Sequence, residues 1–289
     1  MEVDMVTGDP WAVVSRWTAT RSTDDVVDRA RLLDLAVAAL GEAAAESPAV
    51  RRCGTPVGPR RSDGLLVADL SSLWAGPLCG QLLARAGAVV VKVESPSRPD
   101  GSRRGEPAFF DWMNAGKLSY CVDFDSERDA LHRLLDAADI VIEGSRPAAL
   151  RRRGLSAEDL AGRAGRIWLR ISGYRDQPDR PAFGDDAAVA GGLVGSRADG
   201  PVFCGDAIAD PLAGLEAARA VGESLRRGGG EVVEVSMAQV AARYAALTPS
   251  PDSAAESPTL PPVVPAASPL GVDNAAVELL VSERLGAPC

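Results

Sequence analysis

From Gly64 onward the chain alternates short β-branched runs with helical segments, and this rhythm constrains the fold more than any other feature. The runs are 65–70 (LLVADL), 89–94 (VVVKVE), 118–124, 140–143, 166–172 (RIWLRIS) and 231–236 (EVVEVS). Residues 76–85, 126–137 and 147–153 read as helices between them. Strands separated by helices are joined by crossovers and so pair in parallel, with helices covering both faces of the sheet. The expectation is an α/β fold built on a doubly wound parallel sheet. Ligands of such sheets sit beyond the carboxyl ends of the strands, which marks 71–75, 95–104, 144–146 and 173–175 as candidate site loops.

The flanks read differently. Ser22-Thr23-Asp24-Asp25 offers an N-cap with acidic first-turn residues, and Val26, Ala30, Leu33, Val37 and Leu40 follow at helical spacing. One helix over 24–45 is expected, then a Gly, Pro and Arg-rich linker over 53–63. After Leu247 the composition turns to Pro, Ser and Ala, a flexible or polyproline-like connector, and a last helix is expected over 274–284. The organisation is therefore an extension with linker (1–63), a main domain (64–247), a connector (248–267) and a helical tail (268–289).

With 40 acidic and 31 basic residues the net charge is −9, which disfavours a phosphate-tracking surface and sets nucleic acid aside as a partner. Five scattered cysteines show no metal spacing, so reduced and mostly buried thiols are expected. No basic leader with an apolar core opens the chain and no run of about 18 apolar residues occurs, so a soluble cytoplasmic protein without membrane contact is expected.

Several motifs come in a recognisable order. LLVADLSSLWAGPLCGQLLARAGAVVVKVESP leads, followed by NAGK (114–117), DIVIEGSRPAALRRRGL, RIWLRISGY and IADPLAGLEAARAVGESLRRGGGEVVEVSMAQ. Together, over roughly 64–240, they resemble the family III (CaiB/BaiF-type) CoA-transferases, and SPLGVDNAAVELL is similar to the family's C-terminal element. The resemblance implies a Rossmann-like large domain. It also implies a second, smaller domain after Val240, where this chain has only about 25 residues of Pro-rich connector.

The residue matching the family's nucleophile is Asp210, in Ala209-Asp210-Pro211-Leu212-Ala213-Gly214. A carboxylate there would attack an acyl-CoA carbonyl, giving a mixed anhydride and then an aspartyl-CoA thioester. Asp before Pro at a helix start also reads as an N-cap with Pro at N1; both roles stay open, since a helix N-terminus favours the ionised carboxylate. Asp185 and Asp186 are secondary candidates, because related racemases carry a His-Asp pair in this neighbourhood. Gly184-Asp185-Asp186 reads equally as a turn opening a helix. The one histidine, His132, reads as a surface or packing residue.

By resemblance Leu73, Trp74, Ala75, Ser95, Lys117, Gly144, Ser145, Arg146, Arg152 and Tyr174 stand at CoA-contact positions. Lys and Arg suit the diphosphate and 3′-phosphate of CoA, although Arg151-Arg152-Arg153 also reads as a solvated helix end and Trp74 as core. Gly228-Gly229-Gly230 lacks the Lys-Ser/Thr of a phosphate loop and precedes a strand, so it reads as a helix stop and tight turn.

The leading function is transfer of CoA between an acyl-CoA and a carboxylic acid, with neither metal nor redox cofactor. An accessory, non-catalytic subunit paired with a full-length relative is the alternative. An acyl-CoA racemase is the third reading and lacks its usual base. Relatives form interlocked dimers, so a homodimer or a dimer with a related chain is expected.

Overall fold

The computed structural model describes residues 8–144, 147–160, 163–198, 200–248, 259 and 261–286. In chain order the elements are α1 (Pro10–Thr18), α2 (Thr23–Leu32), β1 (Ala49–Arg52), β2 (Leu66–Asp69), α3 (Ala75–Arg85), β3 (Val89–Glu94), α4 (Pro107–Asn114) and β4 (Leu118–Cys121). Then come α5 (Arg128–Ala137), β5 (Ile140–Glu143), α6 (Pro147–Arg151), β6 (Ile167–Ser172), α7 (Gly184–Ala190), β7 (Val194–Arg197) and β8 (Gly200–Phe203). The last are α8 (Ala209–Arg226), β9 (Glu231–Ser236), α9 (Met237–Ala245) and α10 (Asn274–Leu285).

Seven strands form one sheet in the order β1-β9-β6-β5-β2-β3-β4, all parallel except β1, which pairs antiparallel with β9. After the edge strand β1, the parallel strands begin with β2 inside the sheet, step outward to β4, then resume on the other side of β2 with β5. The order reverses between β2 and β5, the place where such sheets leave a crevice. The expected α/β fold with a doubly wound sheet is the observed one.

Period-two side chains explain the double cover. Val67, Val90, Ile140, Ile142, Ile167, Leu169, Val233 and Val235 face the core shared with α3, α7, α8 and α9. Their neighbours Leu66, Ala68, Val91, Val141, Trp168 and Val232 face the core shared with α5 and α10. Polar residues in this sheet are paired: Trp168 Nε1 donates to Glu143 Oε2 at 2.8 Å, and Arg170 donates to both Glu143 and Glu158.

Residues 228–230 follow α8 with φ of +93°, +64° and +69°, which three glycines accept readily. Their open backbone is also where the 53–57 segment lies down: Cys53 and Gly54 donate to the Gly230 carbonyl and Val57 to that of Gly228. The helix-stop reading holds, and the glycines carry a packing role besides.

Several expectations are corrected. The helix over 24–45 ends at Leu32, because Leu33 leaves helical geometry, Asp34 is left-handed at φ +56°, and residues 41–43 bond instead to the end of α7 through Val189 and Ala190. The extension then contributes β1 to the sheet. The run 118–124 is a strand only to Cys121, since Asp123 Oδ1 accepts the N–H groups of Asp125 and Ser126 and turns the chain. Among the described residues the thiols are not mostly buried: Cys53 and Cys204 are exposed, Cys121 is half-buried and Cys79 is buried, while Cys289 lies outside them. The β7–β8 hairpin and helices α1, α4 and α9 have no counterpart in the sequence reading.

Beyond the connector, α10 returns to the sheet and closes its β4 edge. Asn274 imitates a strand there: the Cys121 N–H donates to Asn274 Oδ1 at 2.9 Å and Asn274 Nδ2 donates to the Cys121 carbonyl at 2.8 Å. Asp273 Oδ2 accepts the Ser119 N–H at 2.7 Å. An exposed sheet edge is thereby covered by side chains. Among the described residues no helix is long and apolar enough to cross a membrane.

Candidate active site

Asp210 lies in the first turn of α8, one residue inside the helix, whose N-cap is Ile208. It is therefore not the N-cap, and Pro211 is not at N1. Its carboxylate is partly buried between the start of α3 and the start of α7, with the backbone N–H groups of Ala75 and Gly184 beside it. Gly184 is required by the approach: a Cβ there would stand 2.5 Å from Asp210 Oδ2 and 2.2 Å from the Ala207 carbonyl oxygen. Gly214, one turn along α8, lets α3 approach in the same way, since its Cβ would stand 2.7 Å from the Ala75 carbonyl oxygen.

Burial pushes the Asp210 carboxyl up; the two N–H groups oppose that, and the nearby Asp186 and Asp185 add to it, leaving it at about 6. At neutral pH the group is still mostly an anion. It is a more basic anion than a surface carboxylate, and hence a better nucleophile.

Asp185 and Asp186 hold this geometry. Asp185 Oδ1 accepts the N–H of Ala207, a non-glycine residue at φ +45° immediately before α8. Asp186 accepts the Phe183 N–H at 2.6 Å and the Tyr174 hydroxyl at 3.0 Å, so it closes the N-terminus of α7. The turn-plus-helix reading of 184–186 is thus the observed structure. Tyr174 is buried with the Arg180 guanidinium over its ring at 3.7 Å, and burial next to Asp186 pushes its hydroxyl up.

The other candidate positions spread around the switch point. Leu73 is exposed at φ +69°, Trp74 meets Phe109 edge-on at 5.1 Å with its indole N–H buried and unpartnered, and Ala75 is buried. Gly144 abuts the turn, its Cβ position being 3.0 Å from Ser71 Cβ. Ser95 Oγ lies 2.9 Å from Ser97 Oγ at the end of β3. Lys117 is turned inward: its ammonium donates to Asp69 at 2.9 Å, the Pro77 carbonyl at 2.9 Å and Asn114 at 3.1 Å, so all three donors are committed within the protein. Arg151 and Arg152 are exposed at the end of α6, while Arg153 pairs with Asp125. Ser145 and Arg146 lie outside the described residues. His132 is an exposed member of a pair with Asp136 on α5, across the sheet from α8.

The profile of CoA-transferase family III matches residues 63–262. The chain belongs to CoA-transferase family III. Over 199 residues it is 34% identical to the succinyl-CoA–D-citramalate CoA-transferase of Chloroflexus aurantiacus, covering 62% of this chain and 50% of that protein. A crystal structure of a Mycobacterium tuberculosis protein is similar with a TM-score of 0.57 and 32% identity, over 64% of this chain and 57% of the other. A CaiB/BaiF family protein from Brucella suis gives 0.57 and 29%, over 64% and 55%. The chain spans about half the length of the curated relative it matches.

The sequence missed the residues that shape the site from below. Lys92, Asp100 and Glu94 are buried basic and acidic side chains just behind the 71–75 turn. The sole hint was charge inside an otherwise apolar strand, VVVKVE.

Proposed function

We propose that this chain transfers CoA between an acyl-CoA and a carboxylic acid, with Asp210 as nucleophile. The observation carrying this reading is the place of the Asp210 carboxylate, set between two helix starts so closely that a Cβ on Gly184 would lie 2.5 Å from Oδ2, where burial raises it to about 6. In the first step a carboxylate oxygen attacks the thioester carbonyl, the C–S bond breaks, and CoA leaves as thiolate from an enzyme-bound mixed anhydride. The thiolate then attacks the aspartyl carbonyl carbon, expelling the donor acid and leaving an aspartyl-CoA thioester. The acceptor carboxylate attacks that thioester, and the thiolate released attacks the new anhydride at the acceptor's acyl carbon. The Asp210 carboxylate is restored and charge balances at every stage.

This chemistry calls for neither metal nor redox cofactor and belongs in the cytoplasm, on a chain paired with a copy of itself or a related chain. Because a relative is named for succinyl-CoA, that thioester heads the donor panel. Racemisation gains no support: Asp185 and Asp186 are committed to backbone and Tyr174, and His132 is across the sheet.

Incubation with succinyl-CoA and a panel of acyl-CoA thioesters, followed by peptide mass spectrometry, tests the reading. A CoA adduct on the peptide carrying Asp210, absent from Asp210→Asn, is expected. CoA binding by calorimetry with no adduct from any donor would instead favour an accessory subunit.

A further inference from the structure

The 71–75 turn ends at Ala75, whose N–H lies beside the Asp210 carboxylate and whose carbonyl oxygen is where α8 packs closest, 2.7 Å from a Cβ on Gly214, yet the turn's backbone is not one its residues prefer. Leu73 sits at φ +69°, a left-handed conformation that costs a residue with a Cβ about 1–2 kcal/mol. Its side chain is 41% exposed and reaches toward Gly101, so it does not sit in the core. Trp74 opens α3 without a side-chain cap.

A buried ion pair lies directly behind the turn. Asp100 accepts the Leu73 N–H with both carboxylate oxygens, at 3.1 and 3.2 Å. Lys92 donates to Asp100 Oδ2 at 2.7 Å and to the carbonyl of Ser71. The two side chains are 2% and 0% exposed, so solvent does not compete for them. Glu94 holds the pair from the far side, accepting the Asp100 N–H at 2.8 Å and a two-pronged contact from Arg103. A buried ion pair roughly breaks even in stability against apolar replacements, so geometry is the better explanation for one beneath a strained turn.

We propose that the Lys92–Asp100 pair is a positioning device for Asp210: by gripping the turn on both sides of Ser72, just ahead of the left-handed Leu73, it sets the Ala75 N–H beside the carboxylate. The consequence for catalysis rests on the reading of Asp210 as nucleophile; the positioning itself does not. Around Asp210 the charged neighbours are Asp185 and Asp186 on α7, and the donors are the N–H groups of Ala75 on α3 and Gly184 on α7. Lys92 and Asp100 therefore act through the turn.

The test is the titration of Asp210 in the full chain, followed by the side-chain carboxyl carbon resonance of labelled aspartate and assigned by its loss in Asp210→Asn. Asp100→Asn keeps an acceptor for Leu73 but loses the charge facing Lys92; Asp100→Ala loses both. Moving the Ala75 N–H away from the carboxylate should raise the Asp210 midpoint by about half a pH unit in the first and about one unit in the second. Ser224→Ala removes a buried bond to Glu231 near the end of α8 and serves as a control for general loosening, with no shift expected. If the folded Asp100 variants keep the wild-type midpoint, or if Ser224→Ala shifts it equally, the proposal fails. Failure of even the isosteric Asp100→Asn to fold would make the pair a folding requirement and likewise overturn it. Adduct formation from succinyl-CoA gives the second readout, expected to slow about tenfold in Asp100→Ala at saturating donor. A wild type that titrates as described but forms no adduct would sink the transferase reading alone, whereas normal adduct formation with an unshifted midpoint in the variants would sink the positioning role alone.

Discussion

The backbone of Gly184 runs so close to the Asp210 carboxylate that a Cβ on it would lie 2.5 Å from Oδ2. Two helix starts, α7 and α8, are packed end against end with the Asp210 carboxylate between them, and the missing side chain is what permits it.

Gly184→Ala should therefore loosen both helix starts, because the new methyl also meets the Ala207 carbonyl oxygen at 2.2 Å and backbone must move. A loss of about 1–3 kcal/mol in urea unfolding is expected, as for other overpacked sites. CoA adduct formation on Asp210 should fall with it, while Gly222→Ala, where a Cβ meets nothing within 4 Å, should leave adduct formation unchanged.

Adduct formation should depend on pH through Asp210. With the carboxyl near 6, the anion fraction falls below half under that pH, so the single-turnover rate should rise about tenfold per unit below 6 and level off above 7. A profile already flat at pH 5 would contradict a raised carboxyl.

The same shift carries a stability consequence of opposite sign to the usual aspartate. The native state holds the Asp210 proton up to about pH 6, whereas an unfolded aspartate releases it near 4, so native stability declines as pH rises between these values. Asp210→Asn removes this penalty. Relative to wild type it should be neutral near pH 4 and more stable by about 1–2 kcal/mol above pH 6, after discounting partial exposure. Paired urea titrations at pH 4.5 and 7.5 would measure it.

Asn274→Ala should unpin the tail from the sheet. Two hydrogen bonds to Cys121 are lost and the β4 edge is left open, at a cost of about 1–2 kcal/mol. Hydrogen exchange should quicken at Cys121 and leave β6 and β9 as before.

Much of the fold was legible because a parallel strand buried on both faces writes itself as an apolar run, and VVVKVE, RIWLRIS and EVVEVS did so. β1 did not: AVRR at a sheet edge is mostly exposed, and its pairing with β9 is continued by the glycines at 228–230 holding the following segment. Val37 and Leu40 kept helical spacing yet lie outside α2, because backbone bonds from residues 41–43 to α7 prevail over local periodicity. Asp210 stood out through the order of motifs around it. Lys117 stood out for the same reason, but its ammonium faces Asp69, which no spacing could have revealed.

By itself the sequence determined the alternation of strand and helix, the family, and the position of the carboxylate, since each of these is carried by local pattern or by motifs in order. Tertiary structure alone decided that Asp210 is basic, that Asp185 and Asp186 serve as braces, and that Lys92 and Asp100 lie beneath the turn. Those properties arise from burial and from bonds between residues far apart in the chain, and a linear pattern does not encode either.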